Sequence, residues 1–208
     1  MNPPARKIPG TEGYAEQAHV LVQRYESVPF ADRHRTILPL LPKRPSSILD
    51  IGAGTGVDAA WFASQGHRVI AIEPTSELSS AGKQLHPSPS IEWIDDSLPD
   101  LNLIRGRNMQ FQVIMLTAVW MHLDAAQRER AMPNLVCLLA ADGLVTMTLR
   151  HGPVPAGRRM FEVSGDETIA LAQVCGLSPV IHTRSESAHE ANRAAGVTWT
   201  ILAFQRSS

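Results

Sequence analysis

The sequence predicts an α/β protein built on a doubly wound, mainly parallel seven-stranded sheet, with helices on both faces and an N-terminal helical cap. Three observations predict it. From residue 47 onward, short β-branched and apolar runs alternate with helical patterns. Such alternation implies right-handed βαβ crossovers and a parallel sheet covered on both faces. The first of these runs ends in Asp50-Ile51-Gly52-Ala53-Gly54-Thr55-Gly56, a tight turn of the kind found where a strand hands over to a helix. Ahead of residue 47 only helical spacing is visible.

The elements follow in order. Tyr14 to Tyr25 reads as an amphipathic helix, with Tyr14, Ala18, Leu21, Val22 and Tyr25 at spacings of three and four. A short helix over about 31–38 should end before Pro39. Strands are predicted at 47–51, 68–72, 91–94, 111–116, 144–149, 179–183 and 197–204. The last is expected to run antiparallel at or near the sheet edge. Helices are predicted at 58–65, stopped by Gly66, at 75–85, and at 125–140. Pro133 should kink or split the last of these, and Asp142-Gly143 should end it. Ser164 with Glu167 has capping-box spacing and opens a helix to Cys175.

At 208 residues the chain suits one domain over 1–208: a flexible segment 1–12, a helical cap 13–45 and a core 46–208. Hydrophobic residues make up 44% and charged residues 19%, which excludes the disordered class. A net charge of -1 provides no global attraction to nucleic acid or an anionic membrane. No apolar run approaches the roughly 18–20 residues of a membrane span, and the N-terminus lacks a signal-peptide pattern. Cys137 and Cys175 lie outside any CxxC spacing and read as free structural thiols, consistent with the cytoplasm. No metal site is expected.

The glycine loop is one position out of step with a dinucleotide fingerprint. GxGxxG would place its third glycine at 57, where Val57 stands; Gly56 comes early. A GxxxxGK[ST] phosphate loop is absent as well. A nicotinamide or flavin dehydrogenase is therefore the lesser reading. Glu73, 17 residues after Gly56 at the end of the second strand, suits a carboxylate that accepts both hydroxyls of a ribose. Asp96, after the third strand, is the candidate for reading an adenine edge, with Asp95 as its alternative.

Ile48 to Gly56 resembles motif I of the class I, Rossmann-like, S-adenosylmethionine (SAM)-dependent methyltransferases. Glu73 matches that family's ribose acid and Asp96-Ser97 its adenine segment. Leu116 to Leu123 resembles its motif after the fourth strand. Leu139-Ala140-Ala141-Asp142-Gly143 resembles its turn before strand five, with Ala141 and Asp142 where Pro and Gly are usual. The resemblance spans about residues 14–205 and implies SAM as cofactor, with S-adenosylhomocysteine (SAH) as product. It also implies site roles. Gly52, Ala53 and Gly54 flank the methionine part, and Asp50 fixes its amino group. Ser97 and Leu98 join Asp96 around the adenine. Thr117 and Ala118 lie under the sulfonium. Tyr14 or Tyr25 closes over the cofactor from the N-terminal helix.

Methyl transfer from a sulfonium is chiefly a task of alignment, so no catalytic constellation is obligatory. Acceptor-side candidates follow strands four and five: His122 as base or orienting group, Arg150 as an anion partner, and His151. Arg158 and Arg159 are further candidates to pair with a carboxylate or phosphate. The predicted connection between strands five and six is only about thirty residues long. It leaves no room for a substrate domain, so the N-terminal helices and the 150–163 loop alone should cover the site. The expectation is a small-molecule acceptor bearing negative charge, in a monomer or homodimer. The alternatives are a methyltransferase of RNA or protein and a SAM binder without transfer activity. A contiguous surface of Arg105, Arg107, Arg150, Arg158 and Arg159 would favour RNA.

Overall fold

A computed structural model describes residues 8–207. The part of the expected flexible segment that falls in 1–7 lies outside the described residues. The elements are α1 (Ala18–Glu26), α2 (Phe30–Arg33), β1 (Ser47–Ile51), α3 (Val57–Ser64), β2 (Arg68–Ile72), α4 (Ser76–Leu85), β3 (Ile91–Ile94), α5 (Asn102–Arg105), β4 (Phe111–Thr117), α6 (Ala125–Leu138), β5 (Leu139–His151), α7 (Gly165–Val174), β6 (Leu177–Glu186), α8 (Glu190–Ala194) and β7 (Thr198–Arg206), with 3-10 turns at Leu38–Leu40 and Trp120–His122. The seven strands form one sheet in the order β3-β2-β1-β4-β5-β7-β6. β7 is antiparallel to both neighbours and lies one place in from the edge.

The central strands β1, β2, β4 and β5 are buried on both faces, while the edge strand β6 is largely exposed. Alternate residues of β1 divide between two cores: Leu49 and Ile51 pack with α6 and α7, while Ile48 packs with Ala59 and Phe62 of α3. Burial on both faces explains why these strands read as continuous apolar runs rather than as alternation. A third, small cluster joins Ala18 and Leu21 of α1 to Leu78 of α4 and seats the N-terminal cap.

Several boundaries differ from the sequence reading. The helix expected at 31–38 is only α2 plus a separate 3-10 turn that contains Pro39. Pro133 sits inside α6 without splitting it; its side is exposed, so the carbonyl it leaves unbonded can reach water. Asp142-Gly143 does not end that helix. α6 stops at Leu138 and the chain enters β5 directly, with a register shift opposite Phe111 and Val113. Gly143 is confined there because a Cβ would lie 2.9 Å from the Phe111 carbonyl. The capping box at Ser164 is half formed. Ser164 accepts from the Glu167 N–H, but the Glu167 carboxylate turns to Arg128 at 2.8 Å. Of the two thiols, Cys175 is half-buried and Cys137 exposed. Among the described residues no helix is long and apolar enough to cross a membrane.

Candidate active site

The carboxyl ends of β1, β2, β4 and β5 open onto a cavity of about 700 Å³. It lies where the strand order reverses between β1 and β4, the position at which open α/β sheets bind ligands. The glycine loop forms one wall. The N–H groups of Gly52 and Ala53 both donate to the Ile72 carbonyl, at 2.8 and 2.9 Å, which fastens the loop to the end of β2. Gly52 has φ +68°, and a Cβ there would come within 2.5 Å of Val119 Cγ2. The early third glycine has a packing cause: a Cβ on Gly56 would strike the Trp93 ring at 2.7 Å.

Glu73 is buried at the end of β2 and lines the cavity. Its two oxygens accept from the N–H of Gly54 and the N–H of Thr75, each at 2.8 Å. Burial raises its pKa to about 6, against the pull of these two backbone bonds. A carboxylate has roughly four acceptor sites, so about two remain for a ligand. Asp50 is fully buried beside it. Its Oδ2 has no hydrogen-bond partner among the described residues. Burial, with Asp58 and Glu73 adding like charge, holds its pKa well above the ordinary carboxylate range. An orphaned carboxyl oxygen at the strand end fits a cationic amino group of a ligand.

Beneath the loop, Asp58 gathers three partners. Arg33 donates at 3.0 Å, Thr117 Oγ1 at 2.7 Å, and His34 Nε2 lies at 2.8 Å. Burial alone would raise its pKa, but His34, Arg33 and the Thr117 hydroxyl outweigh it and hold Asp58 below the usual range. Arg33 also donates to the Tyr25 carbonyl, so this network ties the cap to α3. Glu26, at the end of α1, accepts from Thr55 in the loop at 2.6 Å. Sequence reasoning missed Asp58, Arg33, His34 and Glu26. Asp58 alone had a local signal, as an acid in the first turn of the helix that follows the loop.

The predicted cofactor residues come together. Tyr14, Tyr25, Asp50, Gly52, Ala53, Gly54, Glu73, Asp96, Ser97, Leu98, Thr117 and Ala118 all line the cavity. Tyr25 lies against the loop: a Cβ on Gly54 would be 3.3 Å from its ring. Ala118 adopts φ +59°, rare for a residue other than glycine, and its N–H is held by Thr148 Oγ1 at 2.8 Å. Asp96 lines the cavity as expected and has a structural duty as well. Its carboxylate accepts the N–H groups of Ser97, Leu103 and Ile104, at 2.9, 2.9 and 3.1 Å, and so caps α5, an element absent from the sequence reading. Its alternative, Asp95, is exposed and outside the cavity lining.

On the acceptor side the outcomes divide. His122 is buried in the cavity wall, with Nε2 at 2.9 Å from the Tyr14 hydroxyl and Nδ1 at 2.7 Å from the Arg159 carbonyl. Arg150 lines the cavity, and one of its nitrogens donates to the Pro153 carbonyl. His151 is a correction. Successive strand residues face opposite ways, and with Arg150 toward the cavity His151 bonds Thr200 at 2.8 Å and lies outside the lining. Arg158 stacks over Tyr14, 3.7 Å from its ring centroid, and donates to Gln17. Arg159 is engaged by Asp124 and Gln127. The cover is also broader than expected. Besides the N-terminal segment and the 150–163 loop, residues from Ser185 to Asn192 line the cavity, and Arg24 of α1 donates to Asn192 of α8. Residues 8–12, expected to be flexible, run in turns there, with Gly10 packed against His122. The arginines named for an RNA surface do not act together: Arg107 pairs with Glu92, Arg105 donates to the Asp100 carbonyl, and Arg159 pairs with Asp124.

A Rossmann-like sheet whose strand-end cavity carries a glycine loop, a buried acid and an orphaned carboxyl has the architecture with which open α/β proteins bind ligands at strand ends. Residues 48–143 match the family model described as "Methyltransferase domain". That segment is similar to a methyltransferase domain, and the fold is that of the class I, Rossmann-like SAM-dependent methyltransferases, which the glycine loop and the strand-end acids also resemble. No curated protein matches it by sequence. Among solved structures it is similar to 1,6-didemethyltoxoflavin-N1-methyltransferase of Burkholderia thailandensis, with 20% identity, TM-score 0.72, and coverage of 94% of this chain and 86% of that one. It is also similar to a TehB-like SAM-dependent methyltransferase of Corynebacterium glutamicum, with 23% identity, TM-score 0.67, and coverage of 92% and 99%. The N-methyltransferase NodS of Bradyrhizobium japonicum has 19% identity, TM-score 0.68, and coverage of 89% and 91%.

Proposed function

We propose that this chain, acting as a single domain, transfers the methyl group of SAM to a small-molecule acceptor that carries negative charge. One observation carries the reading: Glu73 and Asp50, suited to the cofactor, and Arg150, suited to an anionic acceptor, line one and the same cavity. In this reading Glu73 accepts the ribose hydroxyls, and Asp50 meets the amino group with its free oxygen. Gly52, Ala53 and Gly54 flank the methionine part. Ser97 and Leu98 border the adenine on a loop that Asp96 holds in shape, while Thr117 and Ala118 form the floor at the sulfonium. Tyr14 and Tyr25 close the site. Arg150 pairs with an anionic group of the acceptor.

The sulfonium supplies the activated methyl group, and the protein supplies alignment and exclusion of water. Of the five arginines that an RNA surface would need, Arg107 and Arg159 are paired with Glu92 and Asp124, which speaks against RNA. The B. thailandensis relative, named for a small-molecule substrate, supports the acceptor class. Calorimetry with SAH tests the cofactor end; a folded sample that binds neither SAM nor SAH would sink the reading. A panel of small carboxylate- and phosphate-bearing acceptors with methyl-labelled SAM tests the other end. Exclusive labelling of RNA or protein would overturn the small-molecule assignment.

A further inference from the structure

Tyr14 and His122 lie 108 residues apart, yet they form a directed pair in the cavity wall. Direction follows from elementary donor chemistry. The Arg159 carbonyl can only accept, so His122 Nδ1 carries a hydrogen. In the neutral ring Nε2 is then a lone pair, and the Tyr14 hydroxyl must donate to it. The Tyr25 hydroxyl hydrogen-bonds Tyr14 Oη, which leaves one lone pair of that oxygen for a group in the cavity. Burial sets the resting state: it holds the Tyr14 hydroxyl protonated, and it pushes the His122 pKa down so that the ring is neutral. Glu73, at the cofactor end, and Arg150, at the acceptor end, both act on Tyr14 electrostatically. The hydroxyl therefore lies within electrostatic reach of both, in the wall of the cavity that all three line.

Resting on the methyltransferase reading, we propose that Tyr14 is a catalytic residue that takes the proton released by the acceptor while passing its own to His122, so that the methylated atom is an N–H nitrogen or an O–H oxygen. The bond from methyl carbon to the acceptor nitrogen or oxygen forms as the bond from methyl carbon to sulfur breaks, and sulfur keeps the electron pair. The acceptor's surplus proton moves to Tyr14 Oη, the former Tyr14 proton moves to His122 Nε2, and His122 passes it to solvent. One proton leaves per turnover and nothing is oxidised. The charged and titratable groups facing Tyr14 are Arg158, Glu73, Arg150 and Tyr25. Those facing His122 are Arg158, Glu12 and Arg159. The two arginines disfavour a lasting imidazolium, which drives the proton onward. A thiolate or carboxylate nucleophile carries no proton to remove and has no use for the pair.

The test uses the full chain, methyl-labelled SAM and a panel of aromatic amines, phenols, thiols and simple carboxylates, with rates followed from about pH 5 to 8. The expected result is methylation of amine or phenol members, with kcat falling as the pH drops through the His122 titration. Tyr14→Phe should lower kcat by about 10²–10⁴-fold and leave SAH affinity intact. His122→Gln, whose amide can still accept from Tyr14 but takes no proton, should flatten the pH profile at an unchanged melting temperature. The proposal is overturned by turnover confined to thiols or carboxylates, or by variants that keep the wild-type kcat and pH profile. A Tyr14→Phe loss seen wholly in SAH affinity overturns it too, as does absence of amine and phenol turnover in protein that binds SAH. Failure of the wild type to bind SAH would instead sink the methyltransferase reading.

Discussion

The two ends of the cavity are built by different means. The cofactor end is local and made of backbone. Gly52 and Ala53 bond the end of β2, and Glu73 accepts amides from Gly54 and its near neighbour Thr75. The acceptor end is long-range and made of side chains. Tyr14 meets His122, Arg158 meets Gln17 and Arg24 meets Asn192, across 108, 141 and 168 residues. Backbone geometry at a strand end fixes one ligand tightly, whereas side chains on loops can be exchanged without disturbing the sheet. A constant cofactor and a variable acceptor call for that division.

Cutting the link between the two ends should have the largest effect. Asp58→Ala removes the counter-charge of Arg33 and the Asp58 partner of His34 under the loop. It should cost roughly 3–5 kcal/mol, seen as a fall of roughly 10 °C in melting temperature. A fall of a degree or two would mean that the cap and the loop are independent. Next, Glu73→Ala should weaken SAH binding by roughly 1–3 kcal/mol, about 5–150-fold in Kd. With its pKa at about 6, wild-type Glu73 gains a proton as the pH falls through that value, so SAH affinity should decline below pH 6. The sign reverses for the apoprotein. The stability contributed by protonated Glu73 is present below the ordinary carboxyl range and is lost as the pH rises through about 6. Calorimetry at two pH values checks the first statement, and Glu73→Gln should abolish the dependence. Arg150→Ala should raise the KM of an anionic acceptor about tenfold while SAH affinity stays unchanged; a loss of SAH affinity would merge the two ends. The smallest effect belongs to neither end: breaking the exposed Arg107–Glu92 pair should cost under about 1 kcal/mol in urea unfolding.

The sheet and the cofactor end were legible because their signals are local. Buried strands show as apolar runs, the loop as three glycines, and Glu73 as an acid at a fixed distance along a βαβ unit. Where the reading slipped, a tertiary contact competed with a local rule. The structural duty of Asp96 went unseen because nothing in Asp95-Asp96 announces the four-residue α5 whose amides it caps. Glu167 left its capping box for Arg128. His151 sat beside Arg150 in sequence, but the strand period sent it to the opposite face. The cover from α8 was invisible, because Glu190–Ala194 is too short to show a helical period.

By itself the sequence determined the fold class and the likeness to a methyltransferase domain. Strand runs, glycine positions and strand-end acids act within a few tens of residues, where chain connectivity already dictates geometry. Only the tertiary structure decided what surrounds the acceptor. Tyr14, His122, Arg150 and Asn192 come from the cap, from the end of β5 and from the segments after β4 and β6, and they meet only when the sheet brings the strand ends together. It also decided which nitrogen of His122 carries the hydrogen, since that depends on the Arg159 carbonyl, 37 residues away.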